Sequence, residues 1–414
     1  MKDSRKIVVI GGGASGMVAA IKAKETNPNA EVIIIDRMKQ LGKKLLATGN
    51  GKGNFSNIKT SPHYYNDPTF VEEVFRQVSL FDTIHFFNKL GVFPKNDAEG
   101  RMYPFSDQAS AIHDVLVNEL QRLGIILYLE SNVTSILKQE STFEIVLEDK
   151  RLLCDLVIIC AGGKAYPNLG SNGSGYQLLQ SLGHHVTPIY PSLVGLKVKE
   201  DTKQLGGIRV KGNVTLRTGN MIIGTEDGEI QLRDTGISGI VVMQMSVIIA
   251  RRKVLGLNEM YQIEIDLMPT VSLADVNQML NERKESIKDK AIGDFYLGMF
   301  HQNLGKDMLK RLGIIRFSDK TESITKSELT KLANLIKHYN FHFVDFYQFD
   351  DAQVCSGGIQ NDEFDSHTLE SKLVRGLYVA GELLNVDGET GGFNLQWAWS
   401  SGMLAGKSAA STKL

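Results

Sequence analysis

The feature that most constrains the fold is a glycine-rich turn close to the start of the chain. A strand-like run over residues 6–10, apolar from Ile7 onward, is followed directly by the sequence Gly11-Gly-Gly-Ala-Ser-Gly16. An alanine-rich segment then runs to Asn27-Pro28, and a second apolar run over residues 31–35 ends at Asp36. This order of strand, G-x-G-x-x-G, helix, strand and acid is typical of a βαβ unit that binds a dinucleotide. The chain is therefore predicted to have an α/β fold built on a Rossmann-type parallel sheet.

The residues of this turn have separate predicted roles. Gly11 permits the tight turn, Gly13 lets a pyrophosphate approach the backbone, and Gly16 lets the helix pack against the strand. The carboxylate of Asp36 can accept a hydrogen bond from an adenosine ribose hydroxyl, but it would repel a 2′-phosphate. NADP is therefore disfavoured at this first site. The alternative interpretation is a tight turn that binds no ligand.

A second glycine-rich motif lies near the other end of the chain. A short apolar strand over residues 377–380 stops at Gly381-Glu382, and a loop follows whose tip is Asp387-Gly-Glu-Thr-Gly-Gly392. A helix-like run begins at Phe393. Glycines before a helix let backbone N–H groups approach a ligand, and the helix N-terminus adds a partial positive charge. In a flavoprotein this charge would suit the pyrimidine edge of the isoalloxazine, whereas the alternative is an ordinary turn into a packed helix.

Three further segments carry glycines at positions where a ligand could lie. The buried run over residues 156–160 is followed by Ala161-Gly-Gly163, at the carboxyl end of a predicted parallel strand. The segment Gly170–Gly175 resembles a phosphate cradle, but no second βαβ unit with a terminal acid follows it. The loop Thr48-Gly-Asn-Gly-Lys-Gly-Asn54 alternates glycines with amide or basic side chains. It faces a phosphate or flavin in one interpretation and is a surface loop in the other.

The catalytic residues cannot be identified from a motif. Arg101, with Tyr103, is the best candidate for a substrate-facing pair, because a guanidinium beside aromatic rings can bind an anionic or carbonyl group. A salt-bridged surface arginine is the competing interpretation. Trp397 and Trp399 are predicted to lie in the core.

Composition excludes several function classes. The 414 residues carry a net charge of −1 with dispersed basic residues, so no broad nucleic-acid footprint is visible. No apolar run is long enough to span a bilayer; the best candidate, residues 240–250, is short and contains Gln244. We therefore expect neither a nucleic-acid partner nor a membrane, while the oligomeric state stays open.

Cysteine spacing and the N-terminus bear on the compartment. The three cysteines form no C-x-x-C pair, so a dithiol redox centre is not expected and a cytoplasmic location fits. Lys2 and Arg5 before an apolar run resemble a signal peptide, but that run is the first Rossmann strand. Neither His nor Cys spacing predicts a metal site.

The middle of the chain has a different character. Residues 193–267 alternate short β-type runs with Gly, Asp and Asn turns, which predicts an antiparallel sheet or small barrel. Residues 272–338 are predicted to be helical, with Ser272 as one N-cap and Thr325 with Glu328 as a capping box. This block is predicted to interrupt a nucleotide-binding domain.

Taken together, these motifs resemble a family of bacterial flavoproteins that includes aminoacetone oxidases and a flavoprotein of the bile-acid dehydroxylation pathway. The resemblance implies a glutathione-reductase-like FAD domain interrupted by a β-barrel domain and a small helical domain. The predicted boundaries place the FAD domain at residues 1–188 and 352–414. The inserted barrel covers residues 189–270 with a return strand at 339–351, and the helical domain covers residues 271–338.

The resemblance also implies which residues hold FAD. The N-terminal glycines would meet the pyrophosphate, Asp36 the ribose, Val133 the adenine, Gly381 and Glu382 the ribitol side, and residues 391–396 the isoalloxazine. No His or Cys lies in an obvious flavinylation context, so non-covalent binding is predicted. The full predicted set is Gly11, Gly13, Ala14, Ser15, Gly16, Asp36, Arg37, Lys43, Thr48, Gly49, Asn50, Gly51, Asn54, Val133, Ala161, Gly162, Gly163, Gly381, Glu382, Asp387, Gly391, Gly392, Phe393, Asn394, Leu395 and Gln396.

One departure from the family pattern bears on the substrate. Relatives usually carry Thr-Gly-x-Gly-Arg-Cys-Asn where this chain has Lys52 and Gly53 in place of Arg and Cys. Chemistry that used either side chain elsewhere in the family would not transfer to this chain.

The sequence thus predicts an FAD-dependent oxidoreductase that transfers hydride between flavin and a small organic substrate. Either O₂ or NAD(P)H would serve the other half-reaction. The lack of a second G-x-G-x-x-G unit argues against a dedicated nicotinamide domain, but NAD(P)H could still bind transiently at the flavin. Two alternatives remain: a non-catalytic FAD-binding redox sensor, and a flavin-dependent RNA-modifying enzyme.

Overall fold

The computed structural model describes residues 5–413, so the signal-like Lys2 lies outside the described residues. The strands are β1 Lys6–Ile10, β2 Glu31–Ile35, β3 Ser56–Asn57, β4 Pro94–Asn96, β5 Arg101–Pro104, β6 Ile126–Tyr128, β7 Val133–Lys138, β8 Phe143–Leu147, β9 Arg151–Cys154, β10 Leu156–Ile159, β11 Tyr190–Ser192, β12 Leu196–Val198, β13 Arg209–Thr218, β14 Met221–Arg233, β15 Gly236–Ser238, β16 Tyr261–Asp266, β17 Tyr339–Phe346, β18 Val354–Ser356 and β19 Leu377–Val379. The α-helices are α1 Ala14–Thr26, α2 Lys43–Leu46, α3 Pro68–Gln77, α4 Leu80–Lys89, α5 Ala109–Arg122, α6 Ser174–Ser181, α7 Ile240–Val254, α8 Leu273–Ser286, α9 Gln302–Arg311, α10 Lys326–Lys337 and α11 Phe393–Ser411.

A parallel sheet forms the centre of the first of two compact units. This unit extends to Ser192, resumes at Gln348 and also contains Lys253–Leu255. Its sheet has the strand order β19-β10-β1-β2-β6. The Val- and Ile-rich strands β1, β2 and β10 are almost wholly buried, as expected where a parallel sheet is covered on both faces. The prediction of an α/β fold on a Rossmann-type parallel sheet is confirmed.

The strand register brings the predicted loops to one edge of this sheet. Ile10 at the end of β1 pairs with Ile35 of β2 on one side and with Ile159 of β10 on the other. The residues that follow these three strand ends therefore lie side by side. Val379 of β19 pairs with Ile159, so the C-terminal motif reaches the same edge.

Helices α1 and α11 pack against each other with their backbones in close approach. A Cβ atom at Gly402 would overlap the Ser15 carbonyl oxygen, and one at Gly406 would overlap that of Ala19. Small residues therefore allow the first and last helices to touch along their length. The two tryptophans of α11 are fully buried, which confirms their assignment to the core.

Three small antiparallel sheets complete the first unit. One has the order β3-β5-β4, the second is the meander β7-β8-β9, and the third pairs β11 with β18. Helices α3 and α4 are separate, because Ser79 begins α4 with a capping box closed by Asp82. The helix predicted to begin at Phe393 is α11, which continues to Ser411.

The second unit, residues 193–252 and 256–347, contains a closed barrel. Its strand order within the described residues is β12-β15-β14-β13-β16-β17, and β17 pairs back onto β12. Within the predicted β-type region, residues 221–233 form one continuous strand, β14, which pairs with β13 between Met221 and Gln231. The prediction of a small barrel is confirmed.

Helices α8, α9 and α10 belong to the same unit. The Ser272 hydroxyl accepts a hydrogen bond from the Asp275 N–H, and Thr325 with Glu328 forms a complete capping box. Both predicted caps are therefore confirmed. Residues 240–250, the best membrane candidate, fall within α7, and no helix between residues 5 and 413 is long and apolar enough to cross a membrane.

Candidate functional site

The turn between β1 and α1 leaves open space where a pyrophosphate is expected. Gly11 has a φ of +98°, and a Cβ there would overlap the Cys160 carbonyl oxygen. A Cβ at Gly16 would overlap the Gly11 carbonyl oxygen. Gly13 is different, because its φ is −77° and a Cβ would meet no atom within 4 Å. Packing thus explains the glycines at 11 and 16, whereas the space beside Gly13 is available to a ligand.

Helix α1 begins at this open space without a side-chain cap. Its N-cap, Gly13, supplies no side-chain hydrogen bond, so N–H groups of the first turn, Ala14 to Gly16, have no intrahelical acceptor. These donors and the helix dipole favour an anionic group. The turn therefore fits the pyrophosphate of a dinucleotide.

Asp36 lies at the end of β2, beside the same turn. Its Oδ2 accepts the Gly12 N–H at 2.7 Å, and its Oδ1 accepts the Met38 N–H at 2.7 Å. Burial raises the pKa of this carboxyl, and the two hydrogen bonds partly oppose that effect. Each carboxylate oxygen keeps further acceptor capacity, so a ribose hydroxyl can still bind.

The segment that precedes Val133, the predicted adenine-binding residue, is hydrogen-bonded to the stretch around Asp36. The Ser131 N–H donates to the Asp36 carbonyl at 3.0 Å, and the Glu130 N–H donates to that of Met38 at 3.2 Å. Val133 begins β7 two residues later and is buried. Arg37, beside Asp36, is exposed.

Glu382 joins the N- and C-terminal motifs. Its Oε2 pairs with Lys44 Nζ at 2.9 Å, and its Oε1 accepts the Cys355 N–H at 2.8 Å. A Cβ at Gly163 would lie 3.0 Å from the Glu382 carboxyl carbon, and a Cβ at Gly381 would lie 2.5 Å from Ser15 Oγ. The loops after β1, β10 and β19 therefore form one continuous surface.

The segment from Thr48 to Asn54 is a tight turn with left-handed residues. Gly49, Asn50 and Gly51 have φ values of +57°, +53° and +84°. The Asn54 amide is buried and donates to the Ser56 and Met102 carbonyls, both at 3.0 Å, so its side chain stabilises the protein. Asn50 and Gly51 are exposed.

The structure gives a physical reason for glycine at position 53. Gly53 has a φ of +76°, and a Cβ there would lie 2.8 Å from the Ala109 Cα. A side chain is therefore strained in this backbone, and the loop is built around glycine at that position.

The C-terminal loop ends at an uncapped helix N-terminus. Gly392 has a φ of +103° and is the N-cap of α11, without a side-chain hydrogen bond. A Cβ there would overlap the Ser56 carbonyl oxygen. N–H groups of residues 393–395 therefore have no intrahelical acceptor, and the helix dipole adds positive character at the loop.

Several side chains of this loop are used internally. Asn394 accepts the Gly388 N–H at 2.8 Å and donates to the Gly388 carbonyl at 2.8 Å. Gln396 is fully buried; Ser56 donates to its Oε1, and its amide donates to Thr83 and Ser400. The side-chain amides of Asn394 and Gln396 already have hydrogen-bond partners within the protein. A flavin would therefore have to contact other atoms of these two residues.

Phe393 and Asp387 are likewise packed. The Phe393 ring stacks on Tyr64, with ring centroids 4.3 Å apart. Asp387 is buried, and its N–H donates to the Asn66 side chain at 2.8 Å. These two residues fix the loop's shape.

The predicted substrate-facing pair lies beside both loops. A Cβ at Gly391 would lie 3.5 Å from Arg101 Cγ, and a Cβ at Gly49 would lie 3.4 Å from the Tyr103 ring. Arg101 Nε donates to Asp97 at 2.7 Å, and its other end pairs with Glu99. The guanidinium is thus already neutralised. Burial raises the pKa of Tyr103, so its hydroxyl stays protonated at neutral pH.

Four residues that shape this site were not predicted from the sequence: Lys44, Ser56, Asn57 and Tyr64. Asn57 donates to the Gly391 carbonyl at 3.0 Å, although it lies 334 positions away in the chain. Lys44 was detectable in principle, since it follows the predicted Lys43. Nothing in the sequence pairs Ser56, Asn57 or Tyr64 with the C-terminal loop.

The assembled loops form an extended, glycine-lined surface. Asp36 follows β2 and Glu382 follows β19, and these strands are three spacings apart in the sheet, about 14 Å. Uncapped helix N-termini lie along it at Gly13 and Gly392. This surface has the acid Asp36 at one end, the open turn at Gly13 in the middle and the positive helix terminus at Gly392. These features fit FAD. No group of residues able to hold a metal ion occurs within residues 5–413.

Comparison with known proteins agrees with this geometry. Residues 5–408 match the family described as HI0933-like protein Rossmann domain. A 3-dehydro-bile acid delta(4,6)-reductase of Clostridium scindens is 38% identical over 98% of this chain and 99% of its own length. A ribosomal RNA dihydrouridine synthase of Escherichia coli is 27% identical, over 95% of each chain.

A solved structure shares the fold. The 3-ketosteroid delta1-dehydrogenase of Sterolibacterium denitrificans, in complex with 1,4-androstadiene-3,17-dione, superimposes with a TM-score of 0.50 at 11% identity. The match covers 99% of this chain and 100% of that one.

Proposed function

The chain belongs to the HI0933-like Rossmann family, and from this premise we propose that it reduces a carbon–carbon double bond conjugated to a carbonyl group. The enzyme is an FAD-dependent oxidoreductase, and its substrate is a small organic molecule. The observation that carries this proposal is the 38% identity, over nearly the whole of both chains, with a delta(4,6)-reductase.

The names of the two relatives describe related chemistry. A 3-dehydro-bile acid has a carbonyl at C3, and double bonds at positions 4 and 6 are conjugated with it. Dihydrouridine differs from uridine by saturation of a ring double bond that is also conjugated to a carbonyl. An activated double bond is thus the feature common to both substrates, and we assign it to this chain's substrate.

Bound FAD would supply the hydride for such a reduction. The chain's part is to hold the substrate and deliver a proton. We assign the proton to the hydroxyl of Tyr103, whose ring lies beside Gly49 of the Thr48–Asn54 loop and whose pKa is raised by burial. Hydride added to the β-carbon and the Tyr103 proton added to the α-carbon together saturate the bond.

The Arg101 guanidinium has a supporting role in this proposal. Because Asp97 and Glu99 neutralise it, a substrate carboxylate would have to compete with two carboxylates already in place. Arg101 therefore holds the strand that carries Tyr103, rather than binding an anion.

NAD(P)H is the proposed reductant, bound transiently at the flavin. The chain has one G-x-G-x-x-G unit, and the C-terminal motif belongs to the same surface as that unit. Because FAD would occupy this surface, NAD(P)H would have no nucleotide-binding domain of its own. We also propose that FAD is non-covalent. Cys154, Cys160 and Cys355 are buried, and burial raises the pKa of each thiol to about 12.

A second candidate is reduction of a uridine in ribosomal RNA. It is favoured by the Escherichia coli relative and by a ribosomal RNA dihydrouridine synthase of Haemophilus influenzae, 27% identical over 97% of each chain. The net charge of −1 opposes it, because RNA affinity depends strongly on phosphate contacts.

One set of measurements separates these candidates. FAD-loaded protein is reduced anaerobically with NADH or NADPH and then mixed with 4,6-dien-3-one steroids, simple enones or ribosomal RNA. Reoxidation by the enones with formation of saturated product supports the proposal. Reoxidation only by RNA, with dihydrouridine detected by mass spectrometry, transfers it to the second candidate. Flavin reduction without turnover of any acceptor would leave the redox-sensor alternative.

A further inference from the structure

The hairpin β4–β5 has one face that continues outward from the candidate site. Lys95 pairs with Tyr103 across the two strands. The Asp97 N–H donates to the Arg101 carbonyl at 3.0 Å, and the Phe105 N–H donates to the Phe93 carbonyl at 2.8 Å. Because side chains alternate along a strand, residues 101, 103 and 105 and their three partners lie on the same face.

This face changes character along its length. Arg101 and Tyr103, at its inner end, lie beside Gly391 and Gly49 of the two cofactor loops. At its outer end Phe93 and Phe105 are 69% and 74% exposed. Lys95, which pairs with Tyr103, has its Nζ atom 5.5 Å from the centre of the Phe105 ring. The face is therefore polar next to the loops and aromatic beyond them.

Phe93 and Phe105 lie opposite each other across the hairpin, and exposed aromatic side chains on one face can act as a binding surface when a ligand covers them. The charged residues of the hairpin indicate which kind of ligand can bind to this face. Residues 93–107 contain the cations Lys95 and Arg101 and the carboxylates Asp97, Glu99 and Asp107, a net charge of 2 − 3 = −1. An acidic hairpin disfavours a phosphate backbone and favours an uncharged, apolar group.

We propose that Phe93 and Phe105 bind the apolar, fused-ring body of the substrate while its conjugated double bond lies beside Tyr103. This proposal rests on the function proposed above and names the substrate class: polycyclic enones. The two phenylalanines contribute to specificity and touch neither FAD nor the reacting carbons.

The test compares substrates of different size on the FAD-loaded, full-length protein. Phe93→Ala, Phe105→Ala and the double variant are assayed with a steroid 4,6-dien-3-one and with 2-cyclohexenone. We expect kcat/KM for the steroid to fall by about tenfold or more in the double variant, mostly through KM. The value for cyclohexenone, FAD affinity and the flavin midpoint potential should stay unchanged.

Phe81→Ala is the matched control, because Phe81 is 75% exposed and belongs to α4, not to the hairpin. Equal losses for both enones, or a steroid loss as large in Phe81→Ala, would overturn the inference while leaving the enone reductase intact. If the wild type reduces no enone, the proposed function itself has failed. Unchanged steroid kinetics with impaired dihydrouridine formation in the double variant would assign this face to RNA instead.

Discussion

Lys44 Nζ lies 2.9 Å from Glu382 Oε2 and joins two segments that are 338 positions apart in the chain. The pair is mostly buried, with 27% and 20% of the two side chains exposed. It holds α2, beside the Thr48–Asn54 turn, against the loop that follows β19. The two halves of the interrupted unit are therefore connected at the candidate site.

Replacement of Lys44 by Met should weaken FAD binding by about 1–2 kcal/mol, because the Glu382 carboxylate would lose its charged partner. Lys44→Arg is the matched control and should retain most of the affinity. Isothermal titration of the apoprotein with FAD measures both variants. Wild-type affinity in Lys44→Met would mean that the pair lies away from the cofactor.

Gly13→Val should abolish FAD binding while the apoprotein stays folded. A Cβ at residue 13 meets no protein atom within 4 Å and φ is −77°, so valine is tolerated by the protein but fills the pyrophosphate space. The free energy of unfolding of the apo-variant should lie within about 0.5 kcal/mol of the wild-type value. Flavin absorbance after reconstitution reports binding, and normal occupancy would show that the turn holds no cofactor.

Asp36→Asn should weaken FAD binding by about 1–3 kcal/mol without changing the flavin midpoint potential. The Asp36 carboxylate also accepts the Gly12 and Met38 N–H groups, so the stability of the apoprotein must be measured in parallel. A large change in potential at unchanged affinity would place Asp36 beside the isoalloxazine and contradict the assignment.

Leu395→Glu should lower the midpoint potential of bound FAD, because it adds negative charge to the first turn of α11 where the reduced flavin is proposed to carry its own. The expected effect is about 0.3–1 kcal/mol. Leu395→Gln is the uncharged control. A bulky residue at Gly392 is a poorer probe, since its Cβ would overlap the Ser56 carbonyl oxygen and displace the backbone. Equal potentials in the Glu and Gln variants would assign the helix terminus a structural role.

Tyr103→Phe should reduce kcat with enones by about a hundredfold while FAD affinity is retained. Burial raises the pKa of Tyr103 above 10.0, so the proton is lost only at higher pH and the wild-type rate should hold up to about pH 10. The fall above that pH should be absent in Tyr103→Phe. An unchanged kcat would transfer the proton to solvent or another donor.

The sequence by itself determined the fold class and the dinucleotide turn. Local order is sufficient there, because residues 6–36 contain the strand, glycines, helix, second strand and acid of one βαβ unit. The caps at Ser272 and Thr325 were equally predictable, since a cap depends on residues within one turn.

Only the tertiary structure decided which distant residues share a site. Asn57 donates to the Gly391 carbonyl, Ser56 donates to Gln396 Oε1, and the Gln396 amide donates to Thr83, so tertiary packing brings β3 and α4 against the C-terminal segment. Hydrogen bonds between segments about 330 residues apart leave no periodic trace in either segment. The Phe93 and Phe105 pair is likewise a consequence of hairpin register, which depends on backbone pairing rather than on any sequence motif.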